Sequence, residues 1–246
     1  MNALFLFAAA GGKQSQFELA YVWSQATPEG KIIIVLLLLF SIIAWSLMIS
    51  KGLQMRRAKM LNGFFLSEFK NQTNVLQLYD RRIQAEGCPL FNVYQAGGEE
   101  LDARLGRKGG EGQRQRLTLK SMEHIKRTLE NSVAQESLKL ESGLIWLAAA
   151  VSGAPFLGLL GTVWGVMSTF ADVASAAQQG MRPDLAVMAP GVAAALMTTV
   201  AGLLVAIPSM FGYNGLVHQL RVLNVQLDNF AQELVSKMET EHLKDE

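Results

Sequence analysis

Two stretches of this chain, Gly143–Phe170 and Leu185–Phe211, are long enough to cross a bilayer and carry no charged side chain. As helices, each spans the hydrocarbon core, about 30 Å thick, with residues to spare. Both contain glycine, proline and threonine where a plain lipid anchor could use leucine. Lys31–Ile49 (KIIIVLLLLFSIIAWSLMI) is a third apolar block, its only charge at the edge. Half of the 246 residues are hydrophobic, and they are gathered in blocks rather than spread in periodic stripes. That pattern predicts an integral membrane protein of all-α class with three transmembrane helices.

Charge asymmetry sets the expected orientation. Sixteen Lys and Arg lie between Lys51 and Glu141, with Lys51, Arg56, Arg57 and Lys59 directly after the first block. The connection Ala171–Asp184 holds only Arg182, and the segment before the first block only Lys13. The positive-inside rule then puts the N-terminus outside and the C-terminus in the cytoplasm. The expected plan is an outer or interfacial segment 1–30, span 31–50, a cytoplasmic helical loop 51–142, span 143–170, a short outer loop 171–184, span 185–211 and a cytoplasmic helix 212–246. Phe17–Trp23 has the aromatic content of a segment lying at the outer interface, and an ordinary loop is the alternative reading.

The polar parts exclude several functions. Eleven acids offset the basic residues of the long loop, and no aromatic–basic interleaving accompanies them, so nucleic-acid binding is not expected. Cys88 is the sole cysteine, and His124, His218 and His242 are far apart in sequence, so neither a disulfide nor a metal site is expected. The run GRKGGEG lacks phosphate-loop spacing. No nucleophile–base set appears, so the chain is not expected to be an enzyme or to need a cofactor. Two polar stretches read as helices, one from about Gln113 to Glu141 and one through Leu216, Leu220, Leu223, Leu227, Phe230 and Leu234. The second has the four-and-three spacing of a packed seam, which serves either the chain's own helices or a contact between subunits. No strong breaker separates these stretches from the second and third spans, so both spans are expected to continue into them. Residues 86–112, rich in glycine, are expected to form the turn between helices.

Each late span carries a narrow stripe of small residues and hydroxyls. Gly158, Thr162, Gly165 and Thr169 share one helix face, as do Ala195, Thr199, Gly202 and Ala206. Two readings are open. Small residues let helices approach closely in lipid, with threonines bonding back to their own carbonyls. Alternatively, the stripes face a cavity or a partner helix, where hydroxyls hold water or meet a partner's ionisable group. Pro155, Pro190 and Pro208 each remove a backbone donor and are candidate kinks. No Asp, Glu, Lys, Arg or His lies within the cores of the three spans. If protons cross here, the titrating group must come from another chain.

APFLGLLGTVWGVMSTF, containing Gly161-Thr162-Val163-Trp164-Gly165, resembles the second-span signature of the MotA/TolQ/ExbB proton-channel family. LAVMAPGVAAALMTTVAGLLVAIPSMFGYN resembles the third-span signature of its TolQ and ExbB branch, and FSIIAWSLMI that branch's first span. The resemblance implies a ring, typically a pentamer, in a bacterial inner membrane. It encloses the single helices of a TolR/ExbD-like partner whose aspartate carries protons. The ring's rotation would drive a TonB/TolA-like protein that spans the periplasm. Thr162 and Thr199 match the two threonines lining the family's proton path, and Thr198 and Thr169 are further candidates. Gly158, Gly161, Gly165, Ala194, Ala195, Gly202 and Ala206 are expected to pack helices or face the partner. One departure stands out: Ala194 occupies the position before Ala195-Leu196 where the family usually has glutamate. Thr198 adds a hydroxyl where the family usually has a small apolar residue. A sodium-driven motor of the same family and a non-conducting membrane scaffold remain as alternatives.

Overall fold

The computed structural model describes residues 23, 27–72, 74–80, 85, 87–105, 117–180 and 185–242, leaving aside the side chains of Asp80 and residues 185–187. The interfacial reading of Phe17–Trp23 lies outside these residues except for Trp23, which is helical and exposed. Every described element is a helix: α1 Pro28–Lys70, α2 Gln77–Asp80, α3 Pro89–Arg104, α4 Leu119–Glu141, α5 Leu144–Gln178 and α6 Leu185–His242. Three of them, α1, α5 and α6, are long and apolar enough to cross a membrane. The chain divides into two units, one of residues 1–48 with 144–213, the other of residues 49–143 with 214–246.

In the first unit, α1 starts at a built cap. Thr27 accepts the amide of Gly30 on its hydroxyl (3.3 Å) and that of Lys31 on its carbonyl (3.0 Å). Pro28 follows at the first helical position, where its missing donor costs nothing. Antiparallel α5 and α6 meet through glycines. A Cβ on Gly165 would lie 2.7 Å from the Ala195 Cβ, and one on Gly158 would lie 3.0 Å from the Thr199 Cα. One on Gly202 would lie 2.6 Å from the Ala154 carbonyl oxygen, so side chains are excluded along this seam. α1 runs in the same direction as α6, with Gly30 beside Thr198 near its start and Met48 against Gly212 further on. Ile33 and Leu37 of α1 close a core with Ala154 and Ala206. The other faces expose Ile42, Trp146, Phe156, Leu204 and Phe211, the surface a bilayer covers.

The second unit is built like a water-soluble bundle. α1 continues beyond its apolar block because Met55, Ala58, Asn62, Phe65 and Phe69 repeat at steps of three and four, and all five are buried. Rings of Phe65, Phe69, Phe91, Tyr94 and Phe230 pack with centroids 5.1–6.4 Å apart. The Tyr94 hydroxyl donates to the Val75 carbonyl (2.6 Å) and accepts the Tyr79 amide (3.0 Å), which ties the α2 segment to α3. The α6 seam, Leu216 through Leu234, is buried within the chain itself. Thr118 caps α4 by accepting the Ser121 amide.

Two expectations need correction. Within residues 86–112, expected as a turn, Pro89–Arg104 is helix. Gly97 and Gly98 sit inside it because a Cβ there would come 2.7 Å from Leu129 and 3.0 Å from Tyr79. They are close-approach glycines rather than turn glycines. Nor does the second span run unbroken into α4. Gly143 has φ +83°, a left-handed conformation that ends the helix, and α5 begins afresh at Leu144. The third span shows no such break, since α6 is one helix of 58 residues.

Candidate functional site

Glycine makes the site. Because Gly158 and Gly161 have no side chains, α6 comes close enough for its threonines to reach the α5 backbone. The Thr198 hydroxyl lies 2.9 Å from the Gly158 carbonyl oxygen and 2.7 Å from that of Ala195. Thr199 reaches the Gly158 oxygen at 3.1 Å. Thr162, on α5, reaches Gly158 O at 3.2 Å, Ala195 O at 3.3 Å and the Thr198 hydroxyl at 3.5 Å. It also shares a hydrogen bond with the Thr199 hydroxyl. Three hydroxyls and two carbonyl oxygens therefore gather at one point between the helices.

Their exposures differ. Thr198 is 1% exposed, set in the notch left by Gly161, where a Cβ would stand 2.5 Å from its Oγ1. Thr162 and Thr199 are half-buried and keep one side open. Threonine does not titrate near neutral pH, so the cluster can donate and accept hydrogen bonds but cannot itself carry a proton charge. It offers an incoming carboxyl, hydronium or water a ready set of oxygens.

The remaining candidates are distributed around this point. Thr169 is two turns away, buried, and bonded back to the Gly165 carbonyl at 2.8 Å. Its neighbour across the seam is Gly191, where a Cβ would lie 2.6 Å from the Thr169 Oγ1. Gly165 packs on Ala195, and Gly202 on Ala154 and Gly158. Ala194 is buried at 3% exposure, and Ala206 is in the α1 core. Pro155 lies within α5, and Pro190 and Pro208 lie within α6, and both helices continue through them. Among the described residues, no group of three or more His, Cys, Asp or Glu is arranged to hold a metal.

Sequence reasoning missed the acceptors Gly158 O and Ala195 O, as well as Gly191. Backbone oxygens have no letter in a sequence. Their signal is the four-residue step from Gly158 to Thr162 and the three-residue step from Ala195 to Thr198, each of which places a hydroxyl beside a carbonyl of its own helix that a small residue leaves uncovered.

The model of the family described as the MotA/TolQ/ExbB proton channel family matches residues 99–229. The chain is 30% identical over 204 residues to biopolymer transport protein ExbB of Neisseria meningitidis serogroup B, covering 82% of this chain and 88% of that protein. It is 30% identical over 213 residues to Tol-Pal system protein TolQ of Pseudomonas aeruginosa, covering 85% of this chain and 87% of that one. Biopolymer transport protein ExbB of Salmonella typhimurium is 28% identical over 215 residues, or 83% of this chain and 80% of that protein.

Proposed function

The chain belongs to the MotA/TolQ/ExbB proton channel family, in its TolQ/ExbB branch, and from that membership we propose that it is the ring-forming subunit of a proton-driven motor in a bacterial inner membrane. The observation that carries this reading is the meeting of Thr162, Thr198 and Thr199 at two carbonyls, within spans that hold no titratable side chain. Such a site can solvate a proton carrier but cannot be one. The carrier is then a carboxyl on a one-span partner of the TolR/ExbD kind, around which copies of this chain assemble, with a pentamer as the expected ring.

Thr162 and Thr199, open on one side, are the hydroxyls that meet that carboxyl. When the carboxyl is ionised a hydroxyl of this pair donates to it, and when it is protonated one of them accepts from it. Exchange between these states, coupled to movement of the ring past the partner, would pass protons inward and deliver work to a TonB/TolA-like protein across the periplasm. Gly158, Gly161, Gly165, Ala195 and Gly202 hold α5 and α6 at the distance this requires. Thr169, bonded within its own helix, serves packing.

One observation favours a second reading. Contacts along the glycine seam are all that a non-conducting scaffold would need, and Ala194 supplies no charge in place of the usual glutamate. Proton flux into liposomes decides between them. The chain with its one-span partner should conduct; the chain alone, or with the partner's membrane carboxyl changed to its amide, should not. Thr162→Val and Thr199→Val should each lower flux on the order of 10-fold or more, the scale of losing a hydrogen bond to a charged group, with the complex still intact by size. Full flux in both variants would remove the assigned hydroxyl roles. No flux in any intact complex would favour the scaffold.

A further inference from the structure

Counting protons in the cluster gives Thr198 a task of its own. A carbonyl oxygen has two lone pairs. Helix geometry commits one at Gly158 O to the Thr162 amide and one at Ala195 O to the Thr199 amide. Two lone pairs remain for three hydroxyl protons. Thr198, buried and within 2.9 and 2.7 Å of both carbonyls, takes one of them. Of the pair Thr162 and Thr199, only one can then donate to the carbonyl left over. The other must give its proton to its neighbour's oxygen or to a group arriving from outside. Remove the Thr198 hydroxyl and the count changes. Two protons then face two lone pairs, Thr162 on Ala195 O at 3.3 Å and Thr199 on Gly158 O at 3.1 Å, and neither proton is left over.

We infer that Thr198 is a positioning residue: by occupying a backbone acceptor it keeps one hydroxyl of the Thr162–Thr199 pair free to donate to an ionised carboxyl from a partner chain. It touches neither the carboxyl nor the ion. Its methyl faces Gly30, beside Glu29 and Lys31 in the first turn of α1, and these are the charged groups nearest the cluster on that helix. Neither α5 from Leu144 to Ala171 nor α6 from Leu185 to Leu216 brings a titratable group other than Tyr213, four turns from Thr198 along α6. This inference rests on the proposed function, since it takes from that reading a carboxyl that meets the cluster.

The test uses the complex of the full chain with its one-span partner in lipid, carrying Thr198→Val or Thr198→Ser. Valine keeps the shape that fills the Gly161 notch and removes the hydroxyl, whereas serine keeps the hydroxyl. The first readout is infrared titration of the partner's membrane carboxyl through its protonated C=O stretch. Without a free donor the ionised form loses a hydrogen bond, so the carboxyl should hold its proton to higher pH. The expected midpoint shift for valine is upward by roughly one pH unit, the size of a charged hydrogen bond, with serine unshifted. An unmoved midpoint in Thr198→Val overturns the inference, as does an equal shift in both variants, which would indicate packing. Proton flux, measured in parallel, tests the other reading. A carboxyl that responds to Thr198 in a complex without flux leaves the inference standing and sinks the motor. The absence of any titrating carboxyl sinks both.

Discussion

Gly161 and Thr198 are a fitted pair, and the fit is testable. Gly161→Ala places a methyl 2.5 Å from the Thr198 hydroxyl oxygen and should destabilise the protein by about 1–3 kcal/mol, the cost of overfilling a packed site. Adding Thr198→Ala should recover most of that loss. Gly153, on the same helix, is the control, since a methyl added there would meet nothing within 4 Å; Gly153→Ala should stabilise by about 0.5–1 kcal/mol, the gain of alanine over glycine in a helix interior. Thermal unfolding of the detergent-solubilised protein reads all three. An equal loss at Gly153 and Gly161 would mean that the seam is not where the packing is tight. At this scale the sequence was informative about side chains. The two stripes, one with Gly158 and Thr162 and the other with Ala195 and Thr199, meet across the seam, Thr162 at the Ala195 carbonyl and Thr199 at that of Gly158. What it could not reveal was the role of backbone oxygens, since these become available only when two helices approach within touching distance.

Elements were legible where one force dominated and obscure where two competed. Apolar blocks mark α1, α5 and α6 because lipid exposure demands them. The four-and-three steps of the α6 seam mark a buried face, and the same steps from Met55 to Phe69 extend α1 to Lys70. Helix α3 was hidden because glycine has two uses. Gly97 and Gly98 look like turn formers, yet Leu129 and Tyr79 press on them from neighbouring elements, a tertiary fact absent from local propensity. The break between α4 and α5 turns on the single residue Gly143. Its φ of +83° makes Gly143→Ala cost about 1–2 kcal/mol, whereas Gly63→Ala, mid-helix and unobstructed, should stabilise. Chemical denaturation that ranked these two in the opposite order would contradict the described turn. Cys88 offers a further check on the second unit. Burial pushes its thiol above the ordinary range, against the lowering effect of the Phe91 and Leu90 amides at the start of α3. Maleimide at neutral pH should leave it unlabelled in the folded protein and label it fully on denaturation.

At the scale of the whole molecule the distribution of charge organises the chain in the membrane. Residues 51–141 hold sixteen Lys and Arg, beginning in the second half of α1, and the connection between α5 and α6 holds only Arg182. A cysteine at Ser175, exposed near the end of α5, should therefore react with an impermeant thiol reagent added outside intact cells. One at Ser236, exposed on α6, should react only once the inner membrane is opened. The reverse pattern would invert the topology. Membership of the family was readable from three short signatures, because the spans must satisfy lipid and close packing together and few sequences do. The lack of charge in those spans has an electrical consequence. A membrane potential exerts force only on charge, about 2.3 kcal/mol per elementary charge across 100 mV, and between Ile32 and Ile49, Leu144 and Ala171, and Leu185 and Phe211 this chain offers it none. A voltage step should find these helices electrically silent. In the proposed assembly any displacement current would belong to the partner's carboxyl and to the ion, with this chain the insulating wall against which they move.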